Sequence, residues 1–370
     1  MLVTISIFVI ILAILILVHE LGHFIVAKRS GAKVEEFGIG FPPRIFSLKR
    51  GETMYSINLF PIGGFVKIYG EDGSPRLGEA GGIKHDPRSF ASKSIKTRAI
   101  IVAAGVLMNI FFAVIILSVG HFIGLPQVLD GESKISNVKN INIRIVDIAE
   151  GSPAKEAGIQ IGDIIYGMSA ALDKITDVKN IEDIQNFTDT HPGEKVAVSV
   201  KRGNVVTEKQ VIPRSDPPEG EGPIGFAMVR TGQVSYPFYI APLKGMESTF
   251  RFAAATVRAF GSAASELLAT GSFGGELAGP VGIAVMTGEA QKLGFAFLLQ
   301  FIALISINLA IINILPFPAL DGGRLLFLGI EKIKGSPVNP KYEKMAHTAG
   351  FALLILLMIA ITFRDIGKFL

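Results

Sequence analysis

The chain has 370 residues, of which 49% are hydrophobic and only 18% charged, and its mean hydropathy is +0.47. Soluble globular domains carry about 25% charged residues, so this composition excludes an ordinary soluble enzyme. A net charge of +4 would favour nucleic-acid binding only if the basic residues clustered on a folded surface, but they lie beside the apolar runs. No nucleic-acid partner is therefore expected. Because cysteine is absent, any metal must be held by His, Asp or Glu.

Four apolar runs are candidate membrane spans, because a bilayer core of about 30 Å takes roughly 20 helical residues. They cover residues 2–27, 99–123, 293–315 and 346–363. A cleaved signal peptide is the alternative for the first run, but it has no basic start and no small-residue cleavage site. The sequence predicts a polytopic α-helical membrane protein, with the lipid bilayer as its surroundings.

Lysine and arginine beside the spans predict which connections are cytoplasmic. Basic residues bracket the first connection, from Lys28 to Arg98, and the short connection after Arg324 is also basic. The long connection, residues 125–292, has more acidic than basic residues and is expected outside. Both termini are then expected outside as well.

The first run contains His19-Glu20-Leu21-Gly22-His23, an H-E-x-x-H motif. The i, i+4 spacing places both imidazoles on one helical face, able to share one tetrahedral Zn²⁺, with Glu20 in reach of a zinc-bound water. Polar side chains inside a span are costly and mark function by default. The alternative is that the span ends at Val18 and the motif is solvated, although residues 24–27 continue the apolar face.

Two histidines leave a catalytic zinc one protein ligand short, because such sites keep three protein ligands and an open position. The strongest candidate is Asp321, which follows a stretch broken by Pro316 and Pro318. Proline removes helical donors, so the chain must unwind there, and unwound backbone at membrane depth is tolerated only inside protein or beside water. The alternative is a turn at the membrane surface with Asp321 solvated.

Together, the H-E-L-G-H motif, the segment Asn313-Ile-Leu-Pro-Phe-Pro-Ala-Leu-Asp321-Gly-Gly and the polar insertion between the second and third spans resemble the site-2 intramembrane metalloproteases. The resemblance is to the bacterial regulator-of-sigma-E protease type. Residues 61–67, 104–109 and 279–282 also look like this family.

The resemblance implies one Zn²⁺ per chain, bound by His19, His23 and Asp321, with Glu20 as the catalytic acid and base. It implies that Asn313 contacts the substrate or the developing oxyanion. It also implies a multi-pass protein of the bacterial cytoplasmic (inner) membrane, with its active site toward the cytoplasm. Its substrates would be transmembrane segments of single-span proteins, such as an anti-sigma factor or remnant signal peptides.

Residues 55–69 predict two β-rich arms around a Pro-Ile-Gly-Gly turn, too short to span as a helix. The resemblance implies a membrane-associated β-hairpin near the active site. Its free edge, at Gly63, Gly64, Phe65 and Val66, could pair with an unwound substrate by strand addition. The alternative is a cytoplasmic hairpin without substrate contact.

Residues 125–235 are polar and look like one PDZ domain of the bacterial protease type. The predicted elements are strands at 143–148, 196–200, 205–212 and 224–229, a helix at 180–190, and a short helix, turn and strand within 151–165. A PDZ groove could bind a peptide C-terminus by strand addition, or the folded domain could exclude substrates with large external domains. The sequence leaves both alternatives open.

The predicted organisation therefore has four parts. Residues 1–124 hold the first two spans, the H-E-x-x-H motif and the hairpin loop, and residues 125–235 form the extracytoplasmic PDZ-like domain. Residues 236–292 form an amphipathic linker on the membrane surface, including an amphipathic helix at 245–270. Residues 293–370 hold the last two spans and the Leu-Asp-Gly motif.

Two rival functions use the same features. A catalytically inactive, membrane-anchored PDZ scaffold or adaptor is disfavoured by the intact motif and Asp321. A metal transporter would need polar groups across several spans, and the fourth run has almost none. The remaining histidines are predicted to be structural or solvated, because they lack partners at ligand spacing: His85, His121, His191 and His347.

Overall fold

A computed structural model describes residues 2–71, 86–129, 138–203, 205–271 and 278–369. Its helices are α1 (Leu2–Arg29), α2 (Ile95–Ile123), α3 (Pro153–Glu156), α4 (Ile181–Thr190), α5 (Ala241–Thr270), α6 (Pro280–Leu293), α7 (Phe295–Ile314), α8 (Asp321–Lys334) and α9 (Pro340–Phe369). Its strands are β1 (Val34–Arg50), β2 (Thr53–Ile68), β3 (Leu125–Val128), β4 (Val138–Ile148), β5 (Ile164–Ala170), β6 (Asp173–Thr176), β7 (Val196–Arg202), β8 (Val205–Val211) and β9 (Phe226–Val234).

Four helices are long and apolar enough to cross a membrane: α1, α2, α7 and α9. They coincide with the four predicted runs, so the prediction of a polytopic helical membrane protein is confirmed. The predicted fourth run, residues 346–363, is barely long enough to span a bilayer. Helix α9 begins at Pro340 and is therefore more than one turn longer than this run. Helix α5 covers the predicted amphipathic segment, while α6 and α8 are helices that the sequence did not predict.

The chain forms two compact units. The first contains Met1–Leu117, Gly245–Gly288 and Phe301–Leu370, and the second contains Ser118–Lys244 and Glu289–Gln300. The four ranges predicted from the sequence follow chain order, whereas each unit joins segments that are distant along the chain.

In the first unit, β1 and β2 form a sheet and join at a turn over residues 51–52. The end of β1, residues 44–50, pairs with residues 53–58 of β2. Residues 36–39 of β1 pair on both edges. Residues 54–57 of β2 lie on one edge, and residues 64–67 of β2 lie on the other. Both strands therefore bend, and the sheet is built from four strand portions.

The predicted hairpin over residues 55–69 is wrong in its pairing. Its two arms belong to one strand, β2, and residues 36–39 lie between them instead of the arms pairing with each other. The chain does reverse near Gly63, where φ is +98°. A local sequence pattern cannot predict such an insertion. Strand β1 was not predicted either, because Pro42 and Pro43 argue against a strand.

The β1–β2 sheet buries several polar side chains and exposes many large apolar ones. Thr53 and Asn58 are buried, and they donate to the carbonyls of Val34 (2.9 Å) and Gly40 (3.0 Å). The exposed side chains include many large apolar ones, among them Phe41, Ile45, Phe46, Leu48, Leu59 and Phe60. This arrangement suits apolar surroundings better than water.

The second unit contains an antiparallel sheet with strand order β3-β9-β4-β5-β7-β8, and β6 pairs with β5. Strands β4, β5, β7, β8 and β9 and helices α3 and α4 confirm the predicted elements, whereas the short strands β3 and β6 were missed. Asp163, 1% exposed, accepts two hydrogen bonds from Arg202, at 2.7 and 2.8 Å. These bonds raise the pKa of the Arg202 guanidinium and fix the turn before β5.

Candidate metal centre

The H-E-x-x-H motif lies within a continuous helix, because α1 runs to Arg29 without a break at Val18. His19 is only 7% exposed, so the alternative of a solvated motif is wrong. Gly22, inside the motif, permits a close helix contact, since a Cβ there would overlap the carbonyl of Ala104 on α2. The motif is thus buried where α1 meets α2.

Asp321 is carried to the same place by an unwound stretch. Helix α7 ends at Ile314, Ala319 adopts a positive φ of 80°, and Asp321 is the first residue of α8. The Asp321 side chain is 14% exposed, which excludes the solvated turn considered above. His347 on α9 supports this stretch, because its Nδ1 accepts a hydrogen bond from the amide of Ala319 at 2.9 Å.

The two glycines after Asp321 have a steric role. A Cβ on Gly322 would overlap the backbone of Ile314 and Leu315, and a Cβ on Gly323 would overlap the carbonyl of Phe317. The first turn of α8 therefore packs directly on the unwound backbone, which fixes where Asp321 begins the helix.

Three ligand atoms converge at this point. Nε2 of His19 and Nε2 of His23 lie 3.0 and 3.3 Å from Oδ2 of Asp321, and the two Nε2 atoms are 3.2 Å apart. Among the described residues, these side chains form the group that could hold a metal ion. Ligands about 2.0–2.1 Å from a tetrahedral Zn²⁺ lie roughly 3.3 Å from one another, so the spacing fits zinc.

A further observation supports a cation here. Oδ2 of Asp321 is buried and has no well-formed hydrogen bond among the described residues, although both Nε2 atoms are near it. Buried oxygens without a partner are rare and call for an explanation such as an ion. The donor set and the unpaired oxygen both fit Zn²⁺.

Helix α2 supplies the surroundings of both histidines. Nδ1 of His23 lies 2.9 Å from the carbonyl of Ile101, and Nδ1 of His19 lies 3.3 Å from the side-chain nitrogen of Asn109. A Cβ on Gly105 would lie 2.7 Å from His23 Cε1 and 2.8 Å from His19 Cε1. No role was predicted for these α2 residues, although the Gly105-x-x-x-Asn109 spacing places both on one helical face.

A cavity of about 230 Å³ opens beside the three ligand side chains, and Glu20 lines it. Phe65, Val66 and Ile68 of β2 form another part of its wall. Glu71 and Arg324 form an ion pair and also line the cavity, and neither residue was predicted to belong to the site. A cavity therefore adjoins the acid/base candidate Glu20.

Of the other predicted site residues, some line the cavity and others do not. Phe65 and Val66 line the cavity, and Gly64 contacts α1, because a Cβ there would lie 3.6 Å from Cγ of Glu20. Asn313 lies partly buried in the last turn of α7 and is not among the cavity-lining residues. Among the other histidines, His121, His191 and His347 are outside the metal group, and His85 lies outside the described residues.

Comparison with known proteins finds relatives over nearly the whole chain. The profile of Peptidase family M50 matches residues 7–357. Zinc metalloprotease RasP from Geobacillus kaustophilus is 30% identical over 98% of this chain and 97% of its own length. Regulator of sigma-W protease RasP from Bacillus subtilis is 32% identical over 99% and 98%. Zinc metalloprotease RasP from Bacillus licheniformis is 32% identical over 99% of each chain.

These matches cover nearly the whole chain and confirm the resemblance to site-2 proteases that the paired motifs indicated. They also confirm zinc as the metal, as the names of the relatives state. The chain therefore belongs to peptidase family M50, the site-2 proteases, and is an intramembrane zinc metalloprotease.

Proposed function

We propose that the protein hydrolyses peptide bonds within the membrane segments of single-span proteins. His19, His23 and Asp321 bind one Zn²⁺, and Glu20 is the acid and base. The observation that carries this proposal is the convergence of three ligand atoms beside a cavity that Glu20 also lines. One relative is named a regulator of sigma-W protease, so we propose an anti-sigma factor or remnant signal peptide as the substrate class.

The residues of the site divide the chemistry between them. When bound, zinc would act as a Lewis acid and lower the pKa of its bound water to about 7. Glu20 takes the proton of the attacking water and returns it to the leaving nitrogen. Asn313, eight residues before Asp321, contacts the substrate or the developing oxyanion. His23 is held by the carbonyl of Ile101, so its ring keeps one orientation.

Removing the metal tests this function directly. Treatment of the purified full chain with a chelator is expected to abolish cleavage of a single-span substrate, and stoichiometric Zn²⁺ is expected to restore it. Metal content and cleavage are measured on the same samples. A transporter would instead move Zn²⁺ across sealed vesicles, and an inactive scaffold would cleave nothing. Full cleavage by the metal-free protein would contradict the proposal.

We propose that the β1–β2 sheet is membrane-associated and that the edge formed by residues 64–68 receives the substrate. Within the described residues, this portion pairs with β1 on one edge, and its other edge has no strand partner. Phe65 and Val66 lie in the wall of the cavity that contains Glu20. An extended substrate added to this edge would therefore lie beside the acid and base.

Photocrosslinking is expected to locate the substrate at this edge. A photoreactive residue at Val66 should label a substrate trapped by the Glu20→Gln variant. The matched control is the same residue at Leu48, which is 59% exposed and lies in the end of β1, away from residues 64–68. Equal labelling from both positions, or labelling from Leu48 alone, would count against strand addition at residues 64–68.

We further propose that the second unit contains one PDZ-like domain, outside the cytoplasm, and that the zinc site faces the cytoplasmic side of the bacterial inner membrane. The order of strands and helices along the chain supports the domain assignment. The basic residues beside the spans support the orientation. Such a domain acts on substrates by capturing a peptide C-terminus or by excluding those with large external domains.

A further inference from the structure

His19 and His23 have equivalent positions toward Asp321 but different neighbours behind them. His23 directs Nε2 to Asp321, and its Nδ1 lies 2.9 Å from the carbonyl of Ile101. A carbonyl only accepts hydrogen bonds, so Nδ1 of His23 carries the hydrogen and Nε2 keeps a free lone pair. This is the tautomer that a metal ligand needs.

His19 also directs Nε2 to Asp321, but its Nδ1 faces the side-chain amide of Asn109, 3.3 Å away. With the amide nitrogen toward the ring, Nδ1 would have to accept a hydrogen bond, and the hydrogen of the neutral ring would sit on Nε2. That hydrogen would occupy the lone pair that zinc requires. The two histidines would then have opposite tautomers at one metal.

The carbonyl oxygen of Asn109 resolves this conflict. Asn109 is completely buried, and its Oδ1 has no hydrogen-bond partner among the described residues. Rotation of the amide by half a turn exchanges oxygen and nitrogen without changing the shape of the side chain. Oδ1 then accepts the hydrogen of His19 Nδ1, and Nε2 becomes free, as it is in His23.

We propose that Asn109 is a positioning residue for the metal centre: its side-chain oxygen accepts a hydrogen bond from Nδ1 of His19 and fixes the zinc-binding tautomer. This inference rests on the proposed ligand set of His19, His23 and Asp321. Metal-bound histidines almost always donate their second ring N–H to such an acceptor.

The position of Asn109 is itself fixed. Ser306 on α7 donates a hydrogen bond to the backbone carbonyl of Asn109 at 2.9 Å. Gly105, one turn earlier on α2, has no side chain to hold the helix away from His19 and His23. The amide therefore has a defined place against the imidazole, as an orienting group requires.

The test compares two replacements in the purified full chain. Asn109→Leu keeps the approximate volume but removes the acceptor, and it is expected to weaken Zn²⁺ binding by about 10–100-fold. Asn109→Asp keeps an acceptor oxygen and is expected to bind Zn²⁺ close to the wild type. Affinity is measured by competition with a chromogenic chelator, and the visible spectrum of the Co²⁺-loaded protein reports the ligand geometry.

The matched control is Asn308→Leu. Asn308 also lies on a membrane helix, but its Oδ1 accepts a hydrogen bond from the hydroxyl of Thr256 at 2.9 Å. This variant should leave both the Zn²⁺ affinity and the Co²⁺ spectrum unchanged. Wild-type affinity in Asn109→Leu, or equal weakening in Asn109→Leu and Asn109→Asp, overturns the inference.

A ligand variant separates this inference from the proposed function. Asp321→Ala is expected to lose Zn²⁺ binding. If it does so while Asn109→Leu binds like the wild type, the inference alone fails. If Asp321→Ala retains Zn²⁺ with wild-type affinity, the proposed ligand set fails, and the role of Asn109 fails with it.

Discussion

The Glu20→Gln variant is expected to lose cleavage while keeping its zinc. The amide has nearly the same shape as the carboxylate but cannot take a proton from water, and positioned acid–base groups contribute about 10²–10⁴-fold to rate. The three converging ligand atoms belong to His19, His23 and Asp321, so the replacement leaves the metal group intact. Cleavage of a single-span substrate and zinc per chain are measured on the same preparation.

The control for this variant is Glu266→Gln on α5, which makes the same chemical change at an exposed position. It should cleave at the wild-type rate. Wild-type turnover by Glu20→Gln would remove Glu20 from the mechanism. Loss of zinc from the same variant would assign Glu20 to the ligand set instead.

The second large effect is expected from Gly105→Ala. The added methyl would lie 2.7 Å from Cε1 of His23 and 2.8 Å from Cε1 of His19, closer than real Cβ contacts allow. Both imidazoles must move, or α2 must move away from α1. Because a misplacement of about 1 Å can cost about 10²-fold in rate, we expect weaker Zn²⁺ binding and cleavage reduced by about that factor. Chelator competition and initial rates measure the two effects.

Gly261→Ala on α5 and Gly329→Ala on α8 are the matched controls, since nothing lies within 4 Å of a Cβ at either position. Alanine favours a helix over glycine by about 1 kcal/mol, so both should retain activity and unfold at the same or a higher temperature. An active Gly105→Ala variant with wild-type zinc affinity would show that this helix contact tolerates a side chain.

The spans and the convergence of the candidate ligand residues could be predicted because each depends on a local signal. Twenty apolar residues report a span wherever they occur, and two histidines at i, i+4 share a helical face whatever surrounds them. Asp321 was recognisable because Pro316 and Pro318 forced an unwound stretch where polar residues are costly.

The parts of the site that could not be predicted come from distant segments. Ile101 contributes a backbone carbonyl, which any residue would supply, so its identity carries no signal. The Glu71–Arg324 pair joins positions far apart in the chain, and no spacing rule connects them. In the β1–β2 sheet, the insertion of residues 36–39 between two portions of β2 likewise depends on long-range pairing.

The exposed apolar side chains of the β1–β2 sheet bear on the energetics of the substrate unwinding that we propose. Water cannot satisfy backbone groups in an apolar medium, where each unpaired N–H or C=O costs several kcal/mol. A substrate helix that unwinds there loses its internal hydrogen bonds, while the edge at residues 64–68 offers backbone groups without a strand partner among the described residues. In the strand addition that we propose, the backbone groups of the substrate and of this edge pair with one another, so unwinding is an exchange of hydrogen bonds that requires no external energy source.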